Sequence, residues 1–81
     1  MIGRLLEDVE YKFMIKKTEK NTRAILKLEL SDGTKIAAAA YDAIADFCLR
    51  ELKQNDMIIL NGQIKKEYID IYSIEKMIIK T

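Results

Sequence analysis

Asp32-Gly33-Thr34-Lys35-Ile36-Ala37-Ala38-Ala39-Ala40-Tyr41-Asp42 admits two assignments, strand or helix, and they lead to different folds. Alanine is the best helix former. Propensity alone would run one helix from about Ile36 to Lys53 and make the chain an isolated α+β domain. The flanks argue against that. Asp32-Gly33 directly follows an alternating segment, a strong hairpin signal because both residues accept the positive φ of a type I′ turn. On the far side, Asp42 is a good N-cap. A helix from Asp42 to about Lys53 carries Ile44, Phe47, Cys48 and Leu52 on one stripe. The stretch therefore reads as turn, strand to Tyr41, then helix.

Outward toward the N-terminus, Leu26, Leu28 and Leu30 alternate with Lys27 and Glu29, the pattern of a half-buried strand. Residues 9–16 alternate too, apart from Met14, so Val9, Tyr11, Phe13 and Ile15 face inward. Ile2, Leu5 and Leu6 extend this strand or pack beneath it. Between the two strands, Lys17-Thr18-Glu19-Lys20-Asn21-Thr22-Arg23 is polar throughout and predicts a solvated loop. Toward the C-terminus, Asn55 suits a left-handed cap after the helix. Met57 to Ile64 is a mostly apolar strand, and its Gly62 predicts a bulge or sharp bend. Lys65-Lys66-Glu67 reads as a turn. Tyr68 to Ile74 is a last strand with Ile69 and Ile71 on one face and Tyr68, Asp70 and Tyr72 on the other. The tail from Glu75 continues this strand or forms a final helical turn.

The order strand, loop, strand, hairpin, strand, helix, strand, turn, strand resembles the OB-fold, a five-stranded Greek-key β-barrel with a helix between strands three and four. The chain also resembles single-domain OB-folds of the anticodon-binding and single-stranded-DNA-binding type. The residues carrying the resemblance are Leu28-Glu29-Leu30-Ser31-Asp32-Gly33, Ile36 to Tyr41, Arg50-Glu51-Leu52-Lys53, and Asn55 through Ile64. The expected class is therefore all-β with one helix, residues 1–81 forming a single domain. Two departures stand out. Asn55 occupies a place where the family usually has glycine, and Ala37 to Ala40 replace larger β-branched residues.

The size and composition agree. A chain of 81 residues, 49% hydrophobic and 33% charged, packs a small core and is not disordered. No apolar run approaches the roughly 20 residues that cross a bilayer, and Met1 to Glu10 does not read as a secretory leader. One cysteine excludes an internal disulfide and fits a reducing, intracellular setting, cytoplasmic or nuclear. Without histidine, zinc and other cofactors are not expected. A net charge of +1 excludes a strongly basic clamp but leaves room for a local basic patch.

The resemblance implies a ligand across the face of strands two and three, flanked by the loop after strand one and the loop between strands four and five. Both loops are basic. The first holds Lys16, Lys17, Lys20 and Arg23, the second Lys65 and Lys66, with Lys27 and Lys35 on the face between. Such a cleft suits a phosphate backbone, although lysine-rich loops also serve as plain solvated surface. Bases need flat stacking partners, worth about 1–3 kcal/mol each. Tyr41, Tyr68 and Tyr72 are the candidates, while Tyr11 and Phe13 belong with the core and Ala37 and Ala39 face outward. Cys48 lies on the apolar helix stripe with no histidine to activate it, so it reads as an inert buried thiol. The carboxylate pairs Glu7/Asp8 and Asp42/Asp46 read as surface and cap charges, and no enzyme is expected. The sequence thus predicts non-catalytic binding of single-stranded DNA or RNA. The alternative is an assembly subunit whose partner is another protein or a second copy, suggested by near-neutral charge, the flat alanines and the apolar Met77, Ile78 and Ile79.

Overall fold

The computed structural model describes residues 1–16 and 19–78. Its elements are β1 (Ile2–Leu5), β2 (Glu10–Lys16), β3 (Glu19–Leu30), β4 (Lys35–Tyr41), α1 (Asp42–Glu51), β5 (Met57–Ile64) and β6 (Tyr68–Lys76). The strands run in the order β1-β5-β6-β4-β3-β2, and an added β1–β3 pairing closes five of them into a barrel. All pairs are antiparallel except β4–β6, which is parallel. This is the OB-fold arrangement.

The alanine stretch is a strand, β4. Its surroundings overrule alanine's helix propensity. Every residue from Lys35 to Tyr41 pairs with β3, and Ala38 and Ala40 are fully buried in one core with Leu26, Leu28 and Ile69. Small side chains suit a barrel wall that a helix packs against. The hairpin is present, but its turn is not type I′. Gly33 alone has positive φ, at +89°, and its N–H donates to the Leu30 carbonyl (2.9 Å), while Leu30 N–H donates to the Thr34 carbonyl (2.8 Å). That is a three-residue loop with glycine in the left-handed position. Asp32 contributes through its side chain, which accepts from Thr34 N–H at 2.9 Å. This bond holds the Asp32 carboxyl below its ordinary range.

The helix starts where expected, but Tyr41, not Asp42, is the N-cap residue, and no side chain caps the end. Asp42 is the first helical residue with φ +54°, and its carboxylate suits the positive end of the helix dipole. Ile44, Phe47, Cys48 and Leu52 pack on the core as the stripe predicted, joined by Ala45. Asn55 does adopt positive φ, 76°. It does so in the turn beyond the helix, which ends at Glu51. The ladder between β5 and β6 is irregular at Asn61/Gly62, as the lone glycine predicted.

Two expectations about the N-terminal region are corrected. Residues 19–23 are strand, not loop. β3 begins at Glu19 and pairs with β2 along the arm of a long hairpin. A two-stranded arm satisfies the backbone of this segment through the ladder, and its polar side chains are not simply solvated: Thr22 is buried, and Asn21 and Arg23 are half-buried. Phe13 is not core: it is 54% exposed. It shares a face with Tyr11 and sits opposite Thr22, but the helix end covers that face over Thr22, which bonds to Asp46, and not over Phe13. Tyr11 and Val9 do pack on the core, and Ile2–Leu5 forms the separate strand that closes the barrel. The inward expectation for Ile15 lies outside the described side chains.

Candidate nucleic-acid interface

Cross-strand register decides which side chains share the outer face of the barrel. Leu26, Leu28, Ala38, Ala40, Ile69 and Ile71 are buried inside, so their alternates point outward. Arg23 then lies opposite Tyr41, Ile25 opposite Ala39, Lys27 opposite Ala37 and Glu29 opposite Lys35. On the other side of β4, Tyr68 lies beside Ala37 and Asp70 beside Ala39. Gln63 of β5 sits opposite Asp70. The alanines form a low floor. Tyr41 stands roughly 13 Å from the level of Tyr68, four residues along β4 at the usual strand rise. A groove of about 340 Å³ runs over this floor, lined by Arg23, Ile25, Tyr41, Glu67 and Tyr68.

The predicted site residues divide into three groups. Arg23, Tyr41 and Tyr68 meet in this groove. Tyr41 and Tyr68 are 43% and 37% exposed, so each ring is partly held by the wall and partly open to a ligand. Arg23 is half-buried, and among the described residues its Nε has no hydrogen-bond partner. Around them stand Lys27, Lys35, Lys65, Lys66 and Tyr72. Lys27 is exposed and paired with Glu7 at 3.2 Å. Lys35 is exposed at the far end of β4. Lys65 and Lys66 are exposed in the β5–β6 turn, where Lys65 N–H donates to the Tyr68 carbonyl (2.8 Å). Tyr72 is 59% exposed, and its hydroxyl donates to Gln63 Oε1 at 2.8 Å. The third group belongs to the arm. Lys16 ends β2 and Lys20 lies in β3, whereas Lys17 falls outside the described residues.

The sequence reading missed Lys12, which lies opposite Arg23 and pairs with Glu10 at 3.7 Å. It also missed Ile25, Gln63, Glu67 and Asp70. Alternation alone flagged Asp70 as outward, but only register could put it beside Ala39. Ala39 itself faces outward as expected, yet its neighbours leave it only 4% exposed.

The arm is tied to the helix on its other face. Asp46 accepts from Tyr11 Oη at 2.7 Å and from Thr22 Oγ at 3.1 Å, and Thr22 Oγ also reaches the Asp42 carbonyl at 3.3 Å. The bond to Asp46 pushes the Tyr11 phenol above its ordinary range. Because Asp42 follows Tyr41 directly, this knot also steadies the end of the groove. Cys48 is fully buried in the core, and burial pushes its thiol up to about 11. Among the described residues no group of three or more Cys, Asp or Glu side chains is placed to hold a metal ion. No described helix is long and apolar enough to cross a membrane.

No protein-family model and no curated protein matches this chain. Solved structures do match its fold. The SSB domain of a Synechococcus sp. protein superposes with a TM-score of 0.80 at 10% identity, covering 91% of this chain and 88% of that one. A deletion mutant of the single-stranded DNA binding protein from Thermus aquaticus superposes at 0.81 with 14% identity. It covers 99% of this chain, which spans 40% of that protein.

Proposed function

We propose that this chain binds single-stranded nucleic acid, DNA or RNA, without catalysis, across the outer face of β3 and β4. The carrying observation is the groove in which Arg23, Tyr41 and Tyr68 converge over the Ala37 and Ala39 floor. Tyrosine faces offer stacking that any base satisfies, and a flat floor admits an extended strand. Arg23, Lys12, Lys65 and Lys66 are positioned to meet phosphates on either side. Two solved structures of this fold carry single-stranded DNA-binding names, which supports the reading. Fluorescence anisotropy with labelled oligo-dT and oligo-U, a duplex control and a salt titration tests it. The expected result is binding that prefers single strands and weakens as salt rises. Absence of binding at low salt refutes it.

A second reading, an assembly subunit with a protein partner, draws on a larger groove of about 750 Å³ between α1 and the end of β6. Phe47, Ile74, Met77 and Ile78 line it; Ile79 lies outside the described residues. Sedimentation showing only monomer, together with no partner in a pull-down, counts against that reading.

A further inference from the structure

Resting on the nucleic-acid reading, one feature of the face runs against simple phosphate attraction. Asp70 points outward between Tyr68 and Tyr72 on β6, beside the Ala39 floor and opposite Gln63. Glu7, Glu10, Glu29 and Asp56 each hold a lysine or arginine in an ion pair. Among the described residues no cation does so for Asp70. An unneutralised carboxylate here repels a phosphate chain, so a bound strand keeps its phosphates toward the cations at the margins. Its bases then lie over the centre, where Tyr68 and Tyr72 flank the carboxylate.

A carboxylate only accepts hydrogen bonds. Cytosine offers it an N4 amino group, adenine an N6 amino group, and guanine adjacent N–H groups. Uracil and thymine offer a single N3–H between two carbonyl oxygens, which a carboxylate repels. Gln63 Oε1 accepts from the Tyr72 hydroxyl and Glu67 lies in the turn at the rim of the groove, so Asp70 is the carboxylate set on the face itself, between the two tyrosines. We infer that Asp70 reads base edges, and that the site favours strands whose bases carry an exocyclic amino group over uracil and thymine.

Oligo-dC and oligo-dU provide the test, compared by anisotropy at mildly alkaline pH where cytosine is unprotonated. They differ in the C4 substituent and the N3 proton while stacking as pyrimidines of equal size. Wild type should bind oligo-dC at least about fivefold more tightly, the low end for a base-edge contact. Asp70→Asn and Asp70→Ser should each bring the ratio near one while overall affinity rises, because a repelling charge is gone. Matching circular dichroism spectra and Tm establish that the variants are folded. Equal binding of both oligomers by wild type overturns the inference and leaves the functional reading standing. So does a preference that survives both substitutions. Failure to bind either oligomer at low salt overturns the functional reading itself.

Discussion

Gly62→Ala should loosen the barrel at the place that supports the outer face. Gly62 lies at the irregularity of the β5–β6 ladder, opposite Ile71. A Cβ there would sit 3.0 Å from the Asp70 carbonyl carbon and 3.0 Å from Ile69 Cγ2, and would run into the Asp70 carbonyl oxygen. Ile69 is fully buried and the other two atoms are backbone, so none can swing aside as a surface side chain does. The strands must part. Overpacking of this kind costs about 1–3 kcal/mol, and in a domain of this size each kcal/mol lowers Tm by roughly 4–8 °C. Urea and thermal unfolding measure it, with Gly33 as the control. Gly33 has φ +89° and nothing within 4 Å of a built Cβ, so Gly33→Ala costs about 1–2 kcal/mol through backbone conformation alone. Asparagine tolerates the left-handed region, so Gly33→Asn should recover part of that loss, whereas Gly62→Asn should recover nothing. A Gly62→Ala protein within about 0.5 kcal/mol of wild type, with an unchanged denaturant slope, would refute the reasoning. β5 and β6 would then lie farther apart than the geometry requires, and the juxtaposition of Gln63 with Asp70 would lose its support.

Three further outcomes follow from the site and the core. Tyr41→Ala and Tyr68→Ala should each weaken single-strand binding by about 1–3 kcal/mol, whereas Tyr72→Phe, which keeps the ring and loses only the bond to Gln63, should change it little; anisotropy distinguishes them. Replacing Lys65 and Lys66 together with alanine should flatten the slope of log affinity against log salt by about 1.4, since each phosphate that a lysine neutralises on a single strand adds about 0.7. Cys48 should resist thiol reagents in the folded protein at pH 8 and react freely in urea, because burial pushes its thiol from 9.0 up to about 11. The neutral thiol's contribution is present below about 9 and is lost as pH rises through about 11, so Cys48→Ala should flatten alkaline unfolding in that window.

Local pattern alone identified the elements from β3 onward and most of the core. Alternation in β3, the Asp32-Gly33 signal and the stripe through Phe47, Cys48 and Leu52 are local patterns, and local patterns report which face is buried. Gly62 also announced itself, since a glycine inside an apolar strand usually answers to a close backbone approach. The turn type was less legible: Asp32 acts through its carboxylate and not through positive φ. Residues 19–23 misled because a polar run carries no alternation to mark a strand, while pairing with β2 and the bond from Thr22 to Asp46 place it in a ladder. Phe13 misled because alternation assigns a side chain to a face and says nothing of what lies over it: the helix covers Thr22 on that face and leaves Phe13 exposed.

The candidate site exists only once the barrel is assembled. Its parts come from β2, β3, β4, β5 and β6, and cross-strand register alone sets which of them meet. Arg23 faces Tyr41, Ala37 lies beside Tyr68, and Ala39 lies beside Asp70 and, one strand further, Gln63. A slip of one residue in any ladder would turn these side chains inward. Nothing in the alternation of a single strand specifies its alignment with a strand thirty residues away. That alignment is set by closure of the barrel around Leu26, Leu28, Leu60 and Ile69, which places the carboxylate of Asp70 between two tyrosines on the outer face.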